Sequence, residues 1–186
     1  DTPGHSRAAI KAMEAYAGRT GDNSYLLSEP EDVSEYISIQ YYRDNALNVA
    51  LESTYRFIET VFDELIGYHK QAGVPLPAIH IGGDEVPGGA WIGSPACQKV
   101  MKERGWDNIE LLKSYYIENV LDIAEARGVK ISGWQELVMD LEDHVYERLK
   151  KNLYSINFWY TGPGQEEYPY FYANDGVPAI LSNMTN

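Results

Sequence analysis

Cysteine is nearly absent from this chain of 186 residues, Cys97 being the single one. One thiol can neither close an intramolecular disulfide nor build a cysteine cage around a metal, so both are excluded. Positive charge is scarce as well: 15 Lys and Arg stand against 28 Asp and Glu, a net charge of −13. Such a chain repels phosphate backbones and anionic lipid headgroups, which argues against nucleic acid or a membrane surface as its main partner. No apolar run approaches the length of a membrane span, and no signal-peptide pattern opens the sequence. Phenylalanine is rare too, with 4 Phe beside 15 Tyr and 4 Trp. The aromatic set is therefore biased toward rings that carry a polar handle, which suit half-buried helix faces and polar ligands such as sugars.

What is present is the composition of one globular domain, 44% hydrophobic and 23% charged. Helical and strand-like stretches alternate. His5 to Ala17 predicts a short helix with Ile10, Met13 and Ala17 on one face. Gly18 to about Asn45 is a polar, Tyr-rich excursion. After Ser53, the residues Tyr55, Ile58, Val61, Phe62, Leu65 and Ile66 recur at helical spacing up to Gly73. Ser94-Pro95 is an N-cap with a proline at the first helical position, and a second long helix is expected from Asn108 to Arg127. Four strands are expected: Ala78 to Ile81, Val129 to Ser132, Tyr154 to Trp159 and Pro178 to Ser182. Asp140 to Lys151 reads as a helix between the last strands, and Thr161 to Tyr170 as a loop rich in Pro, Gly and Tyr. Strands separated by helices imply an α/β fold of parallel βαβ units, whose chemistry collects at the carboxyl ends of the strands.

Unusual residues fall at those ends repeatedly. Ala78 to Ile81 runs into Gly82-Gly83-Asp84-Glu85, the next strand into Trp134, the third into Trp159. In a regular strand Asp84 and Glu85 would point to opposite faces. Two glycines let the backbone leave strand geometry, so that both carboxylates can turn into one pocket. There the drier of the two is expected to hold its proton more tightly, as a general acid requires. The plain alternative is a solvated acidic turn. Asp1-Thr2-Pro3-Gly4-His5 is a further turn into a helix, in which His5 either supports a carboxylate or simply caps the helix. Each Trp could equally be core filling, the role expected of Trp91 and Trp106.

Three motifs carry a resemblance. Asp1-Thr2-Pro3-Gly4-His5, His80-Ile81-Gly82-Gly83-Asp84-Glu85-Val86 and Gly133-Trp134-Gln135-Glu136 are similar to stretches of family 20 glycoside hydrolases, the β-N-acetylhexosaminidases. Val86-Pro87, Gly89-Ala90-Trp91 and Ser94-Pro95 extend the likeness. The resemblance implies that residues 1–186 form part of a (β/α)8 TIM barrel, about its strands four to seven with their helices, the first and last parts of the barrel lying outside. It implies exo-acting, retaining removal of terminal β-linked N-acetylglucosamine or N-acetylgalactosamine from an oligosaccharide or glycoconjugate, without cofactor or metal. In that scheme Glu85 is the general acid and then the base, and Asp84 orients the acetamido group. The acetamido oxygen attacks the sugar carbon, forming an oxazolinium ion in place of a glycosyl-enzyme. His5 and Asp1 match residues supporting Glu85 and Asp84, and Trp134 and Trp159 match aromatic walls. A secreted, periplasmic, cell-surface or lysosomal setting is implied.

The match has departures. Gln135 stands where the family usually has Asp, and Asn157-Phe158-Trp159 replaces Gln-x-Trp. Asp1 falls at the family's third strand end, so its first-strand Arg would precede this stretch, and its later Tyr and Asp would follow Ser182 to Asn186. The stretch alone is therefore expected to be catalytically silent, with two unpaired sheet edges inviting self-association. Two other readings remain: a non-catalytic carbohydrate-binding α/β unit, and a nucleotide cyclase of the Gly-Gly-Asp-Glu-Phe type. The cyclase requires the motif in a hairpin between antiparallel strands.

Overall fold

A computed structural model describes residues 1–183; Met184–Asn186 lie outside the described residues. Four strands, β1 (Ala78–His80), β2 (Lys130–Trp134), β3 (Leu153–Phe158) and β4 (Ala179–Leu181), form one sheet in chain order with every neighbouring pair parallel. Helices α1 (Arg7–Thr20) and α2 (Glu52–Ala72) precede the sheet. Between β1 and β2 come α3 (Pro95–Arg104), a 3-10 turn and α4 (Leu112–Arg127); α5 (Asp143–Asn152) joins β2 to β3, and α6 (Tyr168–Asn174) joins β3 to β4. The architecture is α/β with a parallel sheet, as the alternation of elements predicts.

The core lies between sheet and helices. Ile131, Ile156 and Phe158 of the central strands are fully buried against Leu112, Val120 and Ala124 of α4 and Val145 and Leu149 of α5. Each large apolar side chain so buried contributes roughly 1.5–3 kcal/mol. Trp91 is core, as expected, its indole N–H donating to Leu47 O at 2.9 Å. Ser94 caps α3 by accepting the Cys97 N–H at 3.1 Å.

Several local expectations need correction. The stretch Thr161 to Tyr170 does not stay a loop: Tyr168 opens α6, with Pro169 in its first turn, where a missing N–H costs nothing. On α2, only Thr54, Ile58 and Phe62 are buried; Val61 and Leu65 stay 39% and 36% exposed. They line a groove beside the free edge of β1, where no further strand covers them among the described residues. The cyclase reading fails on topology. Gly82 follows a strand paired in parallel with β2, and itself makes a parallel bridge to Thr2, so no antiparallel hairpin carries the motif.

Candidate active site

The carboxyl ends of β1, β2 and β3 point toward one cleft. After β1 the backbone turns through Gly82 and Gly83 at φ +89° and +100°, a region closed to other residues at little cost. A Cβ on Gly82 would sit 1.6 Å from Asp1 Oδ1, so glycine is also what lets Asp1 approach. Glu85 itself takes a left-handed φ of +49°, a strain of roughly 1–2 kcal/mol for a residue with a Cβ. Such strain persists only where the surroundings over-determine it, and here it turns the Glu85 carboxylate toward that of Asp84.

His5 joins the two carboxylates. Its Nε2 lies 3.2 Å from Asp84 Oδ2 and 3.3 Å from Glu85 Oε2. The turn that delivers His5 is pinned from several sides. Thr2 N–H donates to Ile81 O at 2.8 Å, the Thr2 hydroxyl meets the buried Tyr116 hydroxyl of α4 at 2.6 Å, and Ser6 N–H donates to Asn45 O at 2.9 Å. Asp1 is exposed; its carboxylate, His5 and Asp84 offer atoms within 4.8 Å of one another, a spacing that a cation could also span. Asp84 Oδ1 is buried and has no hydrogen-bond partner among the described residues. A buried carboxylate oxygen left unpaired is costly, and its presence marks a place where a donor is missing.

Asp84, Glu85, Trp134, Trp159 and Ser182 line a cleft of about 270 Å³. That is slightly below the roughly 300–1,000 Å³ of ordinary small-molecule sites, so it suits a single-ring ligand. A larger groove of about 550 Å³ between α5 and α6 is lined by Asp140, Asp143, Tyr146 and Asp175 and lies apart from this constellation. Trp134 ends β2, its ring held edge-on by His80 at 5.0 Å between centroids. Trp159 follows β3 and donates its indole N–H to the Glu136 carboxylate at 3.1 and 3.2 Å. Burial raises the Glu136 carboxyl pKa, and the negative charge of Asp84 pushes it further the same way. Behind it, burial lowers the Lys113 ammonium to about 8 while its Nζ donates to Met139 O at 2.5 Å.

All six residues singled out from the sequence thus gather at one end of the sheet, Asp84, Glu85, Trp134 and Trp159 on the cleft, with His5 and Asp1 beside the carboxylates. Gln40 and Ser182 join them without having been singled out. Gln40 Nε2 donates to Glu85 Oε2 at 2.5 Å from a turn in which Ser38 N–H reaches Tyr42 O at 2.8 Å. Nothing in the polar excursion distinguishes Gln40, which lies 45 residues from Glu85. Gln135 and Glu136 were visible as part of a motif, but not their bonds.

Known proteins resemble this chain closely. The model of the glycosyl hydrolase family 20 catalytic domain matches residues 1–186. A β-hexosaminidase of Vibrio vulnificus is 36% identical over 98% of this chain and 22% of its own length. A β-hexosaminidase B of Pseudoalteromonas piscicida is 35% identical, again over 98% of this chain and 24% of its own. The crystal structure of a family 20 exo-β-N-acetylglucosaminidase from Vibrio harveyi in complex with N-acetylglucosamine superposes with a TM-score of 0.77 at 34% identity, covering 97% of this chain and 24% of that one. The chain spans about a quarter of the length of these relatives. With a whole-length family match and relatives above one-third identity laid over this cleft, the chain belongs to glycosyl hydrolase family 20.

Proposed function

We propose that the protein containing this chain is an exo-acting, retaining β-N-acetylhexosaminidase that hydrolyses terminal β-linked N-acetylglucosamine or N-acetylgalactosamine with the substrate's own acetamido oxygen as nucleophile. The observation that carries this reading is the unpartnered Asp84 Oδ1, buried beside Glu85 in a cleft walled by two tryptophans. An acetamide N–H is the donor such an oxygen lacks. Holding that N–H, Asp84 aims the acetamido oxygen at the anomeric carbon and offsets the positive charge that develops on the acetamide as the oxazolinium ring closes. Glu85 gives its proton to the departing glycosidic oxygen; its carboxylate then takes a proton from the water that opens the ring. His5, within reach of both carboxylates, keeps the acid and the orienting group in register. Asp1 supports Asp84 from the exposed side. Trp134 and Trp159 cover apolar faces of the sugar and its acetyl group and exclude water.

In the same reading, residues 1–186 are one part of a (β/α)8 barrel, and β1 to β4 are its fourth to seventh strands. Strictly sequential parallel order supports this, because right-handed crossovers in one direction lay all the connecting helices on one face. The test uses the full-length protein and an aryl N-acetyl-β-glucosaminide. Glu85→Gln is expected to lower hydrolysis by about 10²–10⁴-fold while leaving binding in place. Unchanged turnover would remove Glu85 from the chemistry, and binding without any wild-type hydrolysis would instead favour a sugar-binding module.

A further inference from the structure

Trp134, Gln135 and Glu136 are consecutive, and they control both tryptophan walls of the cleft. Trp134 is one wall. Gln135, 1% exposed, uses its whole carboxamide on the segment that bears the other. Its Oε1 accepts the backbone N–H groups of Trp159 and Tyr160, both at 2.9 Å. Its Nε2 donates to Tyr160 O at 3.2 Å and to Gln165 Oε1 at 2.8 Å. Two acceptor and two donor positions are all that a carboxamide has, so the side chain is saturated. An aspartate in its place would be shorter and would supply no donor for Tyr160 O or Gln165. Glu136 then takes the far end of the Trp159 ring through the indole N–H.

We propose that Gln135 and Glu136 are positioning residues that fix the Trp159 indole relative to Trp134 and thereby set how large an N-acyl group the cleft admits. The inference rests on the hexosaminidase reading. An indole fixed at its backbone and at its N–H has little freedom to slide outward. A rigid apolar wall discriminates by shape, and one additional methylene in a fitted apolar pocket changes kcat/KM by roughly 10-fold or more. A wall released at one end yields to the larger group, and that discrimination falls.

The experiment compares aryl β-glucosaminides carrying N-acetyl and N-propionyl groups, in the full-length protein and its variants. The ratio of the two kcat/KM values is the readout, because misfolding or loss of active protein lowers both substrates equally and leaves the ratio alone. Glu136→Leu, which cannot accept the indole N–H, is expected to lower the acetyl-to-propionyl ratio at least about threefold, within the range that one methylene commands. Glu136→Gln keeps a carbonyl acceptor of the same reach and should restore most of it. Should Glu136→Leu fail to fold, Glu136→Ala removes the same acceptor with less bulk, leaves the Trp159 wall itself unchanged, and should lower the ratio likewise. A ratio in Glu136→Leu or Glu136→Ala that matches the wild type would overturn the clamp while leaving the hexosaminidase reading intact. A wild-type protein inactive on the N-acetyl substrate would instead overturn that reading.

Discussion

β1 and β2 each run into a pair that ends in glutamate, Asp84-Glu85 after one and Gln135-Glu136 after the other, and the two pairs end up in opposite states. Gln135 has every hydrogen-bonding position filled by protein, and Glu136 is engaged by an indole. Asp84, by contrast, keeps one buried oxygen unpaired. The difference begins in the backbone. Two glycines and the strained Glu85 lift the first pair off the strand direction into the cleft, whereas Trp134 passes directly into a 3-10 turn of Gln135–Val138 that folds back on the sheet. Leu137 of that turn packs where a side chain on Gly133 would have to go, its Cδ2 only 2.5 Å from such a Cβ. In the proposed reading, spare bonding capacity marks the pair that meets ligand, and saturation the pair that builds its frame.

The largest expected effect comes from altering the unsaturated pair. Asp84→Asn preserves size but not charge, and kcat/KM on an aryl N-acetyl-β-glucosaminide should fall about 10²–10³-fold, the usual cost of losing one preorganised electrostatic partner. Denaturant midpoints should change little, since Asp84 supports ligand more than fold. The saturated pair should behave in reverse. Gln135→Ala leaves the N–H groups of Trp159 and Tyr160 without their acceptor, and urea unfolding should report a loss of roughly 2–4 kcal/mol. Equal stability losses in the two variants would erase the contrast between them.

A smaller effect is expected from Lys113, which lies behind Glu136. Its ammonium titrates near 8 in the fold against an ordinary 10.5. Between those values the unfolded chain binds the extra proton, so this group makes the fold gain stability as pH rises, by up to about 3 kcal/mol. Below about 8 both states are protonated and the burial cost is full. Urea midpoints at both ends of that window should therefore rise with pH more steeply in the wild type than in Lys113→Met. Identical slopes would contradict a buried, charge-penalised lysine. The smallest effect concerns the sheet edges. β4 is exposed at all three residues, and on the outer side of β1 the described residues offer only a single bridge, between Thr2 and Gly82 just past its end. Residues 1–186 alone should self-associate at micromolar concentration and show no hydrolysis; a stable monomer in sedimentation would argue that the edges are harmless.

Much of this arrangement is legible in the sequence for identifiable reasons. Strands such as Val129 to Ser132 are short β-branched runs bounded by glycine, and the observed β2 differs only by shifting one residue in and extending to Trp134. Gly-Gly before Asp84-Glu85 announces a backbone that leaves the strand, and φ values of +89° and +100° are that departure. α6 escaped because Tyr168-Pro169-Tyr170 offers no 3.6-residue stripe, and what orders it is packing of Tyr172 against Phe158 at 5.8 Å. Val61 and Leu65 fit the helical stripe of α2, but periodicity says which side is apolar and not how far the neighbouring elements extend over it. Gln40 was invisible for a different reason: its role depends on where a polar turn lands in space, and no local pattern encodes that.

The most direct test compares an aryl N-acetyl-β-glucosaminide with the corresponding aryl β-glucoside in the full-length protein and in Asp84→Asn. If the acetamido group is the nucleophile and Asp84 Oδ1 its anchor, the wild type should leave the glucoside almost untouched, since intramolecular attack is worth up to roughly 7–11 kcal/mol in favourable cases. Asp84→Asn should narrow that gap by about 10²–10³-fold by slowing the N-acetyl substrate alone. Comparable wild-type turnover of the two substrates would contradict the account.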